Sequence, residues 1–329
     1  MPNGYHHLNR DKRCQLCTLM KRGDSIALIA KELQVDRSTI HREIKRNRGK
    51  RGYRYKQAQE KALNRQSSNT HKRKMSIAMT AIIEEKINLQ WSPEQISGWL
   101  KKKGYQNAVS HETIYKHVWE DKKSGGLLYK QLRHSGKKYN KRGSKKAGRG
   151  CIPGRTDISE RPGIVEKKKR LGDWELDTII GTEGSGVIVS MVERVSKLTK
   201  LEKASRKTAE EVKVALVDRL GPVQEFVITL TSDNGKEFAF HDQVSQSLKA
   251  SFYFATPYHS WERGLNEHTN GLVRQYLPKN KRFDEVSVDD LSEIEKLLNN
   301  RPRKVLDFAT PEEVFNRHSE EASSVALRS

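Results

Sequence analysis

The chain has 329 residues, with 63 Lys+Arg against 41 Asp+Glu and a formal net charge of +22. That length admits two or three domains and at least one sizeable core. No apolar run approaches the roughly 20 residues that span a bilayer, and the opening MPNGYHHLNRDKR lacks the apolar stretch of a signal peptide, so a membrane partner is not expected. The charge is lopsided. Residues 1–150 hold 36 basic and 12 acidic side chains, and residues 151–329 hold 27 and 29. A front half that binds a polyanion and a back half for catalysis or interaction follow from that asymmetry. The three cysteines, Cys14, Cys17 and Cys151, are too few and odd for a disulfide framework and suit a reducing compartment. Cys14 and Cys17 have zinc-like spacing, but one pair is not a site, and two cysteines on a short helix are expected.

In DSIALIAKELQVDRSTIHREIKRN (24–47), Ile26, Ile29, Ala30 and Leu33 keep helical spacing, Val35 breaks it, and Ile40 and Ile44 restart it. This predicts two short helices and a tight turn, with Asp36 capping the second. Arg37, Ser38, Thr39, His41, Arg42, Lys45 and Arg46 fall on the wet side, where they can reach base edges and phosphates. The turn of such a motif often carries glycine, and here Gln34 lies near that place. The alternative is an ordinary helical hairpin with a basic face. Residues 46–74 are rich in Tyr, Lys and Arg and suit contact with a nucleic-acid backbone.

A second helix-turn-helix is predicted in 91–121. Ser92-Pro93-Glu94-Gln95 is a helix start with a capping box, and Ser110 can cap the next helix, where Ile114 and Val118 face inward. His111, Glu112, Thr113, Tyr115 and Lys116 are its candidate DNA contacts, against plain helical packing as the alternative. Residues 135–150 are Gly-, Ser- and Lys-rich and read as a basic linker. The expected division is a first helix-turn-helix (1–50), a basic helical connector (51–90), a second helix-turn-helix (91–134), a linker (135–171), a catalytic core (172–317) and a frayed tail (318–329).

From residue 172 the pattern becomes α/β. WELDTII, GVIVSMVE (186–193) and LTKLEKA (198–204) read as strands. A helix over 208–221, an apolar strand over 225–235 ending at Asp233, a short helix, a strand at 251–256 and a helix over 261–277 complete an α/β domain with a mixed sheet. Asp177 lies in the first strand, Asp233 at the carboxyl end of a later one, where α/β sheets place sites, and Glu267 on the helix after it. Three acids brought together would repel and demand cations, and Mg²⁺ suits such oxygen ligands. Each residue alone is equally consistent with a salt-bridge partner, a turn or a solvated helix position. Glu175 shares a strand face with Asp177 and reads as structural.

The segments STIHREIKRN, WSPEQISGWL, VSHETIYKHV, ISERP, GDWELDTIIG, TSDNGKEF, WERGLNEHTNGLVRQYLPK and LNNRPRKVLDFATPEEVF, in that order, resemble the transposases of bacterial insertion sequences of the IS-thirty group, within the DDE transposase and retroviral-integrase superfamily. The resemblance implies a multidomain protein, an α-helical DNA-binding region followed by an RNase H-like α/β core. It places the catalytic, metal-binding acids on Asp177, Asp233 and Glu267, with 33 residues between the last two. It also implies a phosphate contact for Arg274, seven residues after Glu267 and on the same helix face. Leu176 and His268 stand where many relatives have glycine and asparagine. The implied activity is cleavage at element ends and transfer of the freed 3′-OH to another strand. It uses Mg²⁺, two ions per site, with Mn²⁺ able to substitute. The implied partners are double-stranded DNA and at least one further copy of the chain, in the bacterial cytoplasm at the nucleoid. The competing readings are a repressor whose back half only oligomerises and a metal nuclease that cuts without joining.

Overall fold

The computed structural model describes residues 8–70, 75–133, 152–257 and 264–326. It divides into two compact units, residues 1–76 and 77–329.

In the first unit, α1 (Arg10–Arg22), α2 (Ile26–Glu32), α3 (Arg37–Asn47) and α4 (Tyr55–Thr70) enclose Leu16, Ile29, Leu33, Ile40 and Tyr53. Asp36 caps α3 as expected, its Oδ1 accepting from the Ser38 amide at 2.7 Å. Gln34 adopts φ +51°, so a non-glycine residue makes the left-handed turn between α2 and α3. That conformation costs on the order of 1–2 kcal/mol, which the packed helices must offset. Beneath α3, Glu43 accepts from Arg13 Nε (2.8 Å), Asn47 Nδ2 (2.7 Å) and Tyr53 Oη (3.0 Å). Burial, and then the Glu43 charge, push the Tyr53 phenol far above its ordinary range. Cys14 and Cys17 lie on α1, the first exposed and the second buried against the Tyr53 carbonyl.

In the second unit, α5 (Ile77–Asn88), α6 (Pro93–Lys102) and α7 (His111–Lys123) form the second helical cluster. Both halves of the Ser92–Gln95 capping box are made. The stretch expected as a connector therefore divides: α4 packs on α1 and α3, and α5 on α6. The cluster leans on the residues after the sheet. Lys102 Nζ donates to the Asp307 carbonyl at 2.7 Å, and Lys304 Nζ pairs with Glu94 at 2.6 Å. A Cβ at Gly98 would overlap the Phe308 ring, so glycine allows that close approach.

The sheet has the order β3-β2-β1-β4-β5, from β1 (Asp173–Ile180), β2 (Val187–Glu193), β3 (Thr199–Ala204), β4 (Thr229–Ser232) and β5 (Ser251–Phe254). β1, β2 and β3 pair antiparallel, while β1–β4 and β4–β5 pair parallel, which is the mixed sheet expected. β4 is shorter than expected, because residues 221–226 turn as a 3₁₀ helix. Strand alternation sorts the side chains. Trp174, Leu176, Val189, Met191 and Leu230 face α8 (Ala209–Leu220) and α9 (His241–Leu248), whereas Ile179, Ile188 and Leu201 face α10 (Gly264–Tyr276) and α11 (Val288–Asn299).

Two expectations are corrected. Residues 152–171 are not linker: Ile152 joins the main core, and the Thr156 carbonyl accepts from the Phe254 amide at 2.9 Å on the β5 edge. The rest of the linker, 135–151, lies outside the described residues. The tail is not frayed from 318, since α12 (Pro311–Ala326) runs through most of it.

Candidate active site

Asp177 sits on the α10 side of β1, two residues past Glu175 and two before Ile179. Its carboxylate Oδ2 accepts from Asn270 Nδ2 at 2.7 Å. Asn270 is itself held by the Ser190 hydroxyl of β2, which donates to its Oδ1 at 2.8 Å and lies 3.3 Å from the Asp177 carbonyl. The parallel β1–β4 register runs as far as Glu175 opposite Thr231, two residues before Asp177 on one strand and two before Asp233 on the other. Asp233 directly follows β4, and its Oδ1 accepts from the Gly235 amide at 2.9 Å, fixing an Asx-type turn. Asn234 anchors the same loop by donating to the Ala255 carbonyl at 2.6 Å and accepting from Arg155.

α10 runs alongside β1 in the same direction. The Asn266 amide reaches Glu175 (3.4 Å), Asn270 reaches Asp177, and Arg274 Nη2 reaches the Ile180 carbonyl (2.5 Å). Glu267 is exposed one turn before Asn270, on the face that meets Asp177. Asp177, Asp233 and Glu267 thus lie on β1, directly after its neighbour β4, and on the helix that bonds β1. Their chemistry, oxygen donors only, fits a hard divalent cation. Among the described residues, no three His, Cys, Asp or Glu side chains stand close enough to hold one metal ion.

Glu175 is buried and ion-paired with Arg194 at 3.4 Å. Arg194 and Arg161 both bond Glu166, and Arg161 also donates to Thr231 Oγ1 at 2.8 Å. Burial, and then the neighbouring Arg194 charge, lower the Arg161 guanidinium below its ordinary range. Arg274 is half-buried over the Phe283 ring, its guanidinium turned to the carbonyls of Ile180 and Leu277, and burial lowers it too.

On α3, Arg37, Ser38, His41, Arg42, Lys45 and Arg46 are exposed and Thr39 is half-buried, while Ile40, Glu43 and Asn47 face the core. On α7, His111, Glu112 and Lys116 are exposed and Thr113 is half-buried. Tyr115 instead lines a cleft shared with the residues after the sheet. Asn270 was missed by the sequence reading, although its i+3 spacing from Glu267 points to the same face. Glu237 was also missed: it is buried behind the Asp233 loop, accepting from Thr178 Oγ1 at 3.0 Å and pairing with Lys207 at 2.8 Å.

A helix-turn-helix unit carried on the same chain as this mixed sheet is the make-up of a DNA-binding α/β protein. Residues 4–47 match the family described as a Helix-turn-helix domain. A transposase for insertion sequence element IS4351 from Bacteroides fragilis is 47% identical over 313 residues, covering 94% of this chain and 96% of that one. Transposase InsI for insertion sequence element IS30A from Escherichia coli (strain K12) is 36% identical over 322 residues, covering 94% and 84%. A transposase for IS1086 from Cupriavidus metallidurans is 32% identical over 325 residues, covering 94% of each. Among solved structures, the catalytic core domain of BIV integrase is similar with a TM-score of 0.35 and 23% identity, covering 46% of this chain and 97% of that one. The chain belongs to the IS30 family of insertion-sequence transposases and is a DNA transposase. Among the described residues, no helix is long and apolar enough to cross a membrane.

Proposed function

We propose that this transposase binds the terminal repeats of its own element through its helical front half, cleaves there, and joins the freed 3′-OH to target DNA in a site built on Asp177, Asp233 and Glu267. The reading draws its main support from the Asn270–Asp177 hydrogen bond, which ties the helix of the third acid to the strand of the first. Asp177, Asp233 and Glu267 would hold Mg²⁺. Bound there, the metal would lower the pKa of an attacking water or 3′-OH and offset charge on the leaving oxygen. The chain's own part is positional. Asn270 and Ser190 fix the Asp177 carboxylate, and the Asn234–Gly235 loop fixes Asp233. Glu267 stands exposed on α10, where substrate can reach it. Arg274 sits two turns beyond Glu267 and would hold a phosphate once drawn from its carbonyl partners. At least two copies of the chain would act on two element ends, and α3 would enter the major groove.

The test is to incubate the full chain with labelled DNA carrying its element's ends, with and without Mg²⁺. Cleavage followed by joining is expected only with metal. Full activity in excess chelator would overturn the metal assignment, and cutting without joining would favour a plain nuclease.

A further inference from the structure

The RPR run at 301–303 belongs to no part of the site above, yet it buries two charges. Arg301 is 2% exposed and Arg303 is 7% exposed. Arg301 donates to Gln275 Oε1 (3.1 Å) and Tyr276 Oη (2.5 Å), and Arg303 donates to the Leu298 carbonyl (3.0 Å). The Nε of each has no hydrogen-bond partner, and among the described residues neither guanidinium forms an ion pair with a carboxylate. A buried cation without a counter-charge carries a desolvation penalty that hydrogen bonds to neutral groups offset only in part. Burial, and then the charge of Arg301, push Arg303 down to about 9. The neighbourhood holds excess positive potential.

Both arginines line a cleft of about 530 Å³ between α7 and the turn after α11. Its other walls bring Arg133, His268, Tyr115 and Trp119. The two aromatics lie one helical turn apart on α7 and stay 39% and 43% exposed. A neighbouring cleft of about 790 Å³, which reaches Glu175, shares His268 and Arg303. Flat aromatic faces beside desolvated guanidinium groups are the composition that grips single-stranded nucleic acid, one to stack a base and the other to pair a phosphate. The volume lies within the roughly 300–1,000 Å³ of small-ligand sites. Its wall carries His268, the residue next to Glu267.

We infer that this cleft takes an unpaired nucleotide of the DNA strand, its phosphate against Arg301 and Arg303 and its base against Tyr115 and Trp119. The inference rests on the proposed strand-processing role and adds to it a place where a strand separated from its partner is held beside the catalytic helix.

The experiment is fluorescence anisotropy of the full chain, without divalent metal, on a labelled duplex either blunt or bearing a short oligo-dT extension. The extension is expected to tighten binding about tenfold. Trp119→Ala and Arg303→Gln should each remove that gain and leave blunt-duplex affinity unchanged. Arg303→Gln should also keep or raise Tm, because it removes an uncompensated buried charge, whereas a purely structural arginine would lower it. Equal affinity of the wild-type chain for both duplexes overturns the inference. So does a gain that survives in Trp119→Ala, a change at a partly exposed side chain. Loss of strand joining with the extension gain intact would instead break the proposed function and leave this site standing.

Discussion

α3 and α10 carry the side chains proposed for DNA reading and for chemistry, but they hold their polar side chains in opposite ways. The polar side chains of α3 stand in solvent. Of these, Arg42 folds back along its own helix, with Nε 3.0 Å from the Ser38 carbonyl, while the rigid part, Glu43 with Arg13, Asn47 and Tyr53, is buried beneath. On α10 the sequence of anchors runs along β1, from Asn266 to Glu175, Asn270 to Asp177 and Arg274 to Ile180. A reading helix needs a fixed axis and adaptable side chains, since the duplex supplies the final partners. A catalytic seam needs its side chains fixed before substrate arrives.

The largest effect expected from this contrast is loss of chemistry without loss of binding. Asp177→Asn, Asp233→Asn and Glu267→Gln should each take cleavage and joining below detection in a labelled-end assay and leave end binding intact. Double variants should be no worse than single ones, because such residues act as a unit. Activity retained in Glu267→Gln would break the assignment of α10.

Next in size is the support of α3. Glu43→Ala strands Arg13 in the core and should cost about 3–5 kcal/mol in the unfolding of the first unit, read by denaturant titration. End binding should fall with it. A loss below 1 kcal/mol would show that the buried network does not fix the helix.

Asn270→Ala sharpens the other side. Releasing the Asp177 carboxylate should lower the joining rate about 10–100-fold, as the loss of a partner that orients a ligand does, with DNA affinity unchanged. An unchanged rate would mean that the hydrogen bond positions nothing. The smallest effect belongs to a single reading side chain. Arg42→Ala should weaken end binding by roughly 1–3 kcal/mol if it reads a base, and uniformly across sequences if it meets only phosphate. Comparing its own end with a scrambled duplex distinguishes the two.

Much of this was legible in the sequence because it is local. The caps at Asp36, Ser92, Ser110 and Thr208, the apolar alternation of the first three strands and the wet face of α3 follow from spacing alone. The parallel pairing of β1 and β4 is tertiary: no local pattern announces that the strands carrying or leading to Asp177 and Asp233 are neighbours. Residues 152–171 lack periodicity and read as linker, yet Ile152 is in the core and Arg161 reaches Thr231 across 70 positions. Gln34 shows the limit of residue-type rules, since packing holds a glutamine where glycine is usual. The RPR run gave no hint of burial, because arginine is ordinarily a surface residue.

Asp177, Asp233 and Glu267 are proposed as ligands of one divalent-metal site. Replacing the hard oxygen ligand by a softer sulfur tests it directly: the joining assay is run on Asp177→Cys and Asp233→Cys in Mg²⁺ and in Mn²⁺. Both variants should be inactive in Mg²⁺ and restored in part by Mn²⁺, while Asn270→Ala should show no such metal preference. Wild-type activity of either cysteine variant in Mg²⁺, or no rescue of either by Mn²⁺ with end binding intact, would contradict it.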